Sequence, residues 1–223
     1  MLKQIVLCFT FIFLVKNIVS QTTIKQYYYN FPYQFKVDSL GTDSIDVHPS
    51  YDFSAVDTII DDKNAYLRIQ SKPNDCCHDH VVFTFFKTTS NNKIFACEKG
   101  VSTTVDDKFS TKFYSNDNGK WEDVTTVVFP FNLTFKDFYK STRLPATKFQ
   151  KFISHIQLPK QGKDLIVSIV MESLNNIDEF FPDQKDHDTY INLFFHKNHN
   201  FNKLIFSWDK TKGVFKLKGK QLE

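Results

Sequence analysis

Short runs in which apolar and polar residues alternate recur along this 223-residue chain, and this alternation predicts β-strands. Several neighbouring runs are separated by polar segments of hairpin-turn length. The paired runs are residues 58–60 with 65–70, 80–87 with 93–97, and 112–114 with 120–122. The third pair encloses Asn116 to Gly119, where asparagine and glycine tolerate the positive φ angles of a tight turn. The pattern therefore predicts antiparallel sheets built from hairpins.

The remaining strand signals lie toward the two ends of the chain. Residues 164–172 are apolar on both faces, which is typical of a central strand. Residues 27–37 are rich in aromatic side chains and contain Pro32, which favours an edge strand because proline donates no backbone hydrogen bond. A three-stranded meander is predicted for residues 188–196, 203–208 and 214–218.

Two segments lack strand alternation and predict helix. Residues 134–139 form the first, and residues 146–156 form the second. In the second segment, apolar residues recur at three- and four-residue spacing, which gives one apolar stripe on a helix. The sequence therefore predicts an α+β fold that is mainly antiparallel β, a sandwich or curved sheet, with one or two short helices around residues 134–157.

The N-terminus has the pattern of a secretory signal peptide. Lys3 precedes an apolar run over residues 5–15, and Ser20 offers a small residue for cleavage before Gln21. The run is too short to cross a bilayer, which needs about 20 apolar residues. We expect residues 1–20 to be a signal peptide and residues 21–223 to form a single β-rich domain that is secreted or periplasmic.

Charge and hydropathy exclude two classes of partner. The sequence has 28 Lys and Arg against 25 Asp and Glu, and both signs are interspersed along the chain. Arg68 and Arg143 are its arginines, although arginine is the residue best suited to bidentate phosphate recognition. We therefore expect no nucleic-acid partner. No apolar segment reaches the length of a membrane span, so no stable membrane insertion is expected either.

The densest group of potential metal ligands lies at residues 75–80. On an extended segment, Cys76, His78 and His80 point to the same side, and all three are residue types that bind zinc. A zinc site would need a fourth ligand from elsewhere in the chain. The alternative is a polar loop that leads into a strand.

Cys76, Cys77 and Cys97 remain after removal of the predicted signal peptide. A disulfide between Cys77 and Cys97 is one possibility in an exported protein. However, pairing Thr89 with Lys93 across the hairpin puts Cys97 opposite Phe85, eight residues from Cys77. That separation exceeds the reach of a disulfide. The alternative is a set of thiols, with Cys97 buried in the core.

No catalytic motif is present: the sequence has no Gly-x-Ser-x-Gly elbow, no glycine-rich phosphate loop and no His-Glu-x-x-His. We therefore expect an exported, non-enzymatic binding protein without a cofactor, which recognises a protein or cell-surface ligand and is of inhibitor or immunity type. Aromatic side chains are the expected ligand-binding residues: Tyr27, Tyr28, Tyr29, Trp121 and Trp208.

Two alternatives to this function remain. The first is a metal-dependent hydrolase that uses zinc at residues 76–80. The second is a carbohydrate-binding module, which requires Trp121 or Trp208 to lie flat and exposed on a sheet face so that a sugar can stack on the indole.

Overall fold

The computed structural model describes residues 23–32, 57–70, 77–103, 107–170, 177–178 and 180–221. The predicted signal peptide, residues 1–20, lies outside the described residues. The described chain forms two antiparallel sheets and several short helices. This confirms the predicted α+β fold, which is mainly antiparallel β.

The first sheet is a six-stranded meander in which each strand pairs with the next one along the chain. Its strands are β1 (Asp57–Asp61), β2 (Tyr66–Gln70), β3 (Cys77–Lys87), β4 (Lys93–Thr103), β5 (Asp107–Asp117) and β6 (Lys120–Asp123). The β5–β6 hairpin forms as predicted. Asn118 and Gly119 have φ angles of 51° and 89°, as a two-residue turn of type I′ requires.

The second sheet has four strands in the spatial order β10-β9-β8-β7. The strands are β7 (Ile153–Gln157), β8 (Asp164–Val170), β9 (Lys203–Asp209) and β10 (Val214–Gln221). β8 lies between β9 and β7, so the predicted central strand is confirmed. Residues of β9 alternate between buried and half-buried positions, because one face of this sheet packs against the core.

Short helices accompany the strands: α1 (Ile24–Asn30) precedes β1, α2 (Thr125–Val128) and α3 (Phe135–Phe138) lie between β6 and β7, and α4 (Gln184–Phe195) and α5 (Lys197–Asn200) lie between β8 and β9. The helix predicted at residues 134–139 is therefore present as α3. No helix among the described residues combines the length and the apolar character needed to cross a membrane.

Two predicted strands are mainly helical where the structure describes them, and both helices begin at an N-terminal cap; residues 33–37 of the first lie outside the described residues. The predicted edge strand at residues 27–37 begins inside α1. There Thr23 and Gln26 form a reciprocal capping box that satisfies free backbone N–H groups. The predicted strand at residues 188–196 belongs to α4, where the Asp183 carboxylate accepts hydrogen bonds from the first helical N–H groups.

The helix predicted over residues 146–156 is also wrong. The chain makes one 3₁₀ turn at Thr147–Phe149 and then continues as β7. The three- and four-residue spacing of the apolar residues has a tertiary origin here. Phe149 and Phe152 pack against the core from an irregular segment, and Ile156 does so from a strand.

The two sheets share one hydrophobic core. Phe86, Ala96 and Phe113 contribute to it from the first sheet, and Phe206 and Phe215 contribute from the second. The opposite face of the first sheet is covered by α1. The residues that α1 and its C-cap bury there are Ile24, Tyr28 and Phe31, against Phe83 and Phe95. The described chain therefore stacks three layers, with the six-stranded sheet in the middle.

We expect the α1 layer to contribute strongly to stability. Phe31 is 2 % exposed and packs against Phe95 and Tyr114, so Phe31→Ala should lower the free energy of unfolding by about 3 kcal/mol. Tyr29→Ala is the control, because Tyr29 is 39 % exposed and should cost less than about 1 kcal/mol. Urea unfolding measures both values, and equal costs would contradict the packing of this layer.

Candidate functional site

A buried carboxylate lies between the two sheets. Glu98 is on β4, and its side chain is only 3 % exposed. Ile94 and Ala96 precede it at alternate positions and both pack into the shared core. Because side chains two residues apart lie on the same face of a strand, the alternation places Glu98 on this inner face as well.

Hydrogen bonds to Glu98 come from both sheets. In the first sheet, His80 of β3 approaches Oε1 of Glu98 with its Nε2 at 3.3 Å. In the second sheet, Nε2 of His155 lies 2.9 Å from the same oxygen. The backbone N–H of Leu158, directly after β7, donates to Oε2 at 2.7 Å. We call His80, Glu98 and His155 the Glu98 cluster.

The Glu98 carboxylate is ionised at neutral pH. Burial raises the pKa of this group, but the hydrogen bonds from His155, His80 and Leu158 and the electrostatic interaction with His155 outweigh burial and lower it to about 2. An ionised carboxylate can only accept hydrogen bonds, so Nε2 carries the proton in both imidazole rings. The cluster thus fixes the orientation of two histidines with a single acid.

Close packing holds both rings in place. Gly100 lies opposite His80 on β4, and a Cβ atom at this position would come within 2.3 Å of the ring. On the other side, Phe109 stacks on His155 with 3.8 Å between the ring centroids. Thr111 of β5 adds a second polar link between the sheets by donating to the carbonyl of Ile156 at 2.9 Å.

The predicted metal site falls partly outside the described residues. Cys76 lies outside them, and the side chain of His78 is not described. His80 is described, and its ring contacts the Glu98 side chain on the neighbouring strand of the same sheet. Among the described side chains, no group of three His, Cys, Asp or Glu residues has an arrangement that could hold a metal ion. Zinc binding by Cys76, His78 and His80 stays a prediction.

The β3–β4 register does not favour the Cys77–Cys97 disulfide. Cys77 pairs with Thr103, and Cys97 pairs with Phe83. Six residues of β3 separate the two positions, which corresponds to about 20 Å along a strand, far more than a disulfide spans. The predicted pairing of Cys97 with Phe85 was off by two residues, since the hairpin turn encloses residues 88–92. Cys97 itself is buried.

The five aromatic residues predicted to bind ligand are distributed over two different layers. Trp208 is 7 % exposed in the shared core, and its indole N–H donates to the carbonyl of Lys87. It is not an exposed platform for a sugar. Trp121 is half-buried and makes edge-to-face contacts with Tyr27 and Phe31. Tyr28 is fully buried, and Tyr29 is 39 % exposed. Ligand binding by this set stays a prediction.

Three hairpin turns and α2 converge at one end of the two sheets, which we call the turn end. They are the β3–β4, β5–β6 and β9–β10 turns, and together with α2 they line an open cavity of about 440 Å³. A backbone hydrogen bond from Thr89 to the carbonyl of Lys210 links a turn of the first sheet to one of the second. The lining residues are Thr88, Asn92, Lys93, Ile94, Ser115, Asn116, Asp117, Val124, Val127, Val128 and Gly213.

The cavity at the turn end has an apolar side and a polar side. Ile94, Val124 and Val128 pack against the shared core, while the turn residues supply hydroxyl, amide and carboxylate groups. Val127 also lines the cavity and is 65 % exposed, although α2 buries its neighbour Val128. Val127 therefore places an exposed apolar side chain beside the apolar side of the cavity.

Comparison with known proteins adds information on the fold only. No protein-family model matches the chain, and no curated protein matches it in sequence. The chain is similar to a solved structure described as a domain of an uncharacterized protein from Porphyromonas gingivalis W83, with a TM-score of 0.51 and 11 % sequence identity. The match covers 90 % of this chain and 98 % of that chain. At this identity the likeness shows a shared fold.

The Glu98 carboxylate should make stability depend on acid pH. Its pKa of about 2 in the folded protein lies below the ordinary value of 4.5, so its stabilisation is present above about pH 4.5 and is lost as the pH falls towards 2. The stabilisation that is lost corresponds to about 3 kcal/mol of unfolding free energy. The glutamine side chain of the Glu98→Gln variant cannot titrate, so it lacks this stabilisation at every pH. We therefore expect the variant to be less stable than the wild type at pH 6, and we expect this difference in unfolding free energy to be about 3 kcal/mol smaller at pH 2.

Urea unfolding at several pH values measures this deficit. Glu122→Gln is the matched control, because the Glu122 side chain is exposed at 56 % and pairs with Lys120 on the surface. A deficit of Glu98→Gln that stays constant from pH 6 to pH 2 would contradict the ionised, hydrogen-bonded state of Glu98.

The contact between Gly100 and His80 gives a second prediction. Gly100→Ala should destabilise the protein by about 1–3 kcal/mol, because the added methyl group overlaps the imidazole ring. Gly219→Ala is the control, since no atom lies within 4 Å of a Cβ built at that strand position. Thermal unfolding compares the two variants. A Gly100→Ala protein as stable as Gly219→Ala would show that the ring does not occupy this position.

Proposed function

We propose that this chain is an exported, non-enzymatic binding protein that recognises a protein ligand at its turn end. The observation that carries the proposal is the convergence of turns from both sheets around a cavity of about 440 Å³ with an apolar side. Loops held by a rigid scaffold are a common location for recognition. Here the two sheets and their shared core act as the scaffold.

The shape of the cavity supports binding of an apolar side chain of the ligand. Val124 and Val128 offer apolar contact, and the exposed Val127 beside them on α2 is accessible to a partner. The polar groups of Asn92, Ser115 and others around them can form hydrogen bonds at the edge. An apolar centre surrounded by a polar rim is the usual anatomy of a protein–protein interface.

Export is the second part of the proposal. Lys3, the apolar run at residues 5–15 and Ser20 support it. The position of α1 agrees with cleavage after Ser20, because the first residue that α1 buries is Ile24. A mature chain that begins at Gln21 would therefore keep all of α1 and its N-cap Thr23.

Val127→Asp tests the binding surface. The purified protein is immobilised, partners are captured from the envelope and culture medium of the source organism, and each captured protein is purified for affinity measurement. A charge at residue 127 should weaken the specific partner by about 30-fold, since an apolar contact at the centre of an interface contributes about 2 kcal/mol.

Leu217→Asp is the matched control, because Leu217 is 52 % exposed but does not line this cavity. It should bind the partner as the wild type does. Equal binding by the Val127→Asp variant and the wild type, or equal loss in both variants, would overturn the proposed surface.

A further inference from the structure

A second cavity lies beside the first and is lined by lysines. It has a volume of about 210 Å³, and four lysines from four different segments contribute to its lining: Lys63, Lys87, Lys163 and Lys210. Asp62 is the one acidic residue in the lining, and Trp208 contributes an indole ring. We call this the lysine cavity. All four lysines are exposed, so the cavity carries its positive charge at the protein surface.

Backbone hydrogen bonds fix the positions of three of these lysines around Trp208. The indole N–H of Trp208 donates to the carbonyl of Lys87 at 2.8 Å, and its backbone N–H donates to the carbonyl of Lys163 at 3.2 Å. The carbonyl of Lys210 accepts from the backbone of Thr89 at 3.0 Å. Because Trp208 is buried in the core, these hydrogen bonds attach the backbone of Lys87 and Lys163 to a closely packed part of the protein, while the lysine side chains remain exposed.

Two of the lysines lie close enough to repel each other. A hydrogen bond with the Lys210 amino group and the charge of Lys210 lower the pKa of Lys163. Among the described residues, neither amino group has an ion-pair partner. Lys216 and Lys218 differ in this respect, since they pair with Asp209 and Asp164. An anion between Lys163 and Lys210 would relieve the repulsion.

The lysine cavity adjoins the apolar cavity of the turn end. Lys87 and Thr88 are consecutive residues that line different cavities, and Lys210 and Gly213 belong to the same turn. A ligand with a carboxylate near an apolar side chain could therefore contact both at once. Lysine recognises such a carboxylate through its charge, without the bidentate geometry that arginine offers to phosphate.

We propose that the lysine cavity binds carboxylates in an acidic segment of the protein ligand, with Lys163 and Lys210 as the residues that contact them. This inference rests on the proposed function, because it assigns the charge of the ligand whose apolar side chain enters the neighbouring cavity. It predicts an acidic partner whose binding weakens as ionic strength rises, since salt screens exposed charges.

The indole N–H of Trp208 is a built-in reporter for the experiment. The sequence contains two tryptophans, so a ¹⁵N correlation spectrum shows two indole signals, which Trp121→Phe assigns. Hexaglutamate is the probe, and inorganic phosphate is titrated separately at equal ionic strength. We expect hexaglutamate to shift the Trp208 signal saturably, to leave the Trp121 signal in place, and to bind more tightly than phosphate.

Two double variants identify the lysines involved. Lys163→Gln/Lys210→Gln should weaken hexaglutamate binding by about tenfold, the effect of removing two exposed ion pairs. Lys216→Gln/Lys218→Gln removes the same net charge outside the lysine cavity and should leave the affinity unchanged. Equal weakening in both, or no shift of the Trp208 signal, would overturn the site. Tighter binding of phosphate than of hexaglutamate would overturn the assignment to carboxylates.

Failure of the lysine-cavity inference can be distinguished from failure of the proposed function. Val127 lines the apolar cavity and not the lysine cavity, so Val127→Asp should leave the hexaglutamate titration unaltered while it weakens partner binding by about 30-fold. If capture depends on Val127 but hexaglutamate does not bind, the lysine inference fails and the proposed function stands.

Discussion

Burial of the ionised Glu98 carboxylate between two sheets costs free energy, and hydrogen bonds from both sheets offset this cost. If His155 and Leu158 moved away with the second sheet, the charge would lose two of its three partners while it remained largely buried. These hydrogen bonds therefore hold the sheets in one relative position. The shared apolar core alone would not require a single position. Aromatic side chains in that core can pack at many geometries, whereas the carboxylate accepts hydrogen bonds only within a narrow range of distances and angles.

This constraint connects the Glu98 cluster to the turn end. Glu98 pairs with Val82, five residues before β3 ends at Lys87, so the cluster lies about 16 Å from the turns along the strands. The turn end combines segments of both sheets, joined by the hydrogen bond from Thr89 to Lys210. Its two cavities keep their shape only if the sheets do not slide. A preorganised surface of this kind reduces the entropy that binding must overcome.

The sequence reveals the hairpins of the fold and the short helix α3, but not α1, α4 or the buried cluster. Alternation and turn residues are local signals, so the hairpin at Asn116 to Gly119 could be predicted. In α1 the aromatic residues 27–29 favour a strand. The capping box of Thr23 and Gln26, which is also visible in the sequence, favours the helix that forms. The alternation Ile94, Ala96, Glu98 could have indicated an inward acid. Its partner His155 could not be found, because it lies on a segment that was predicted to be a helix.

Hydrogen exchange at the Leu158 amide tests most directly whether Glu98 holds the sheets together. In Glu98→Leu, which has no acceptor for this N–H group, the Leu158 amide should exchange at least about tenfold faster than in the wild type. Amides in the middle of β9 serve as the reference and should change less. If the Leu158 amide exchanged as slowly in Glu98→Leu as in the wild type, the link between the sheets would not depend on this carboxylate.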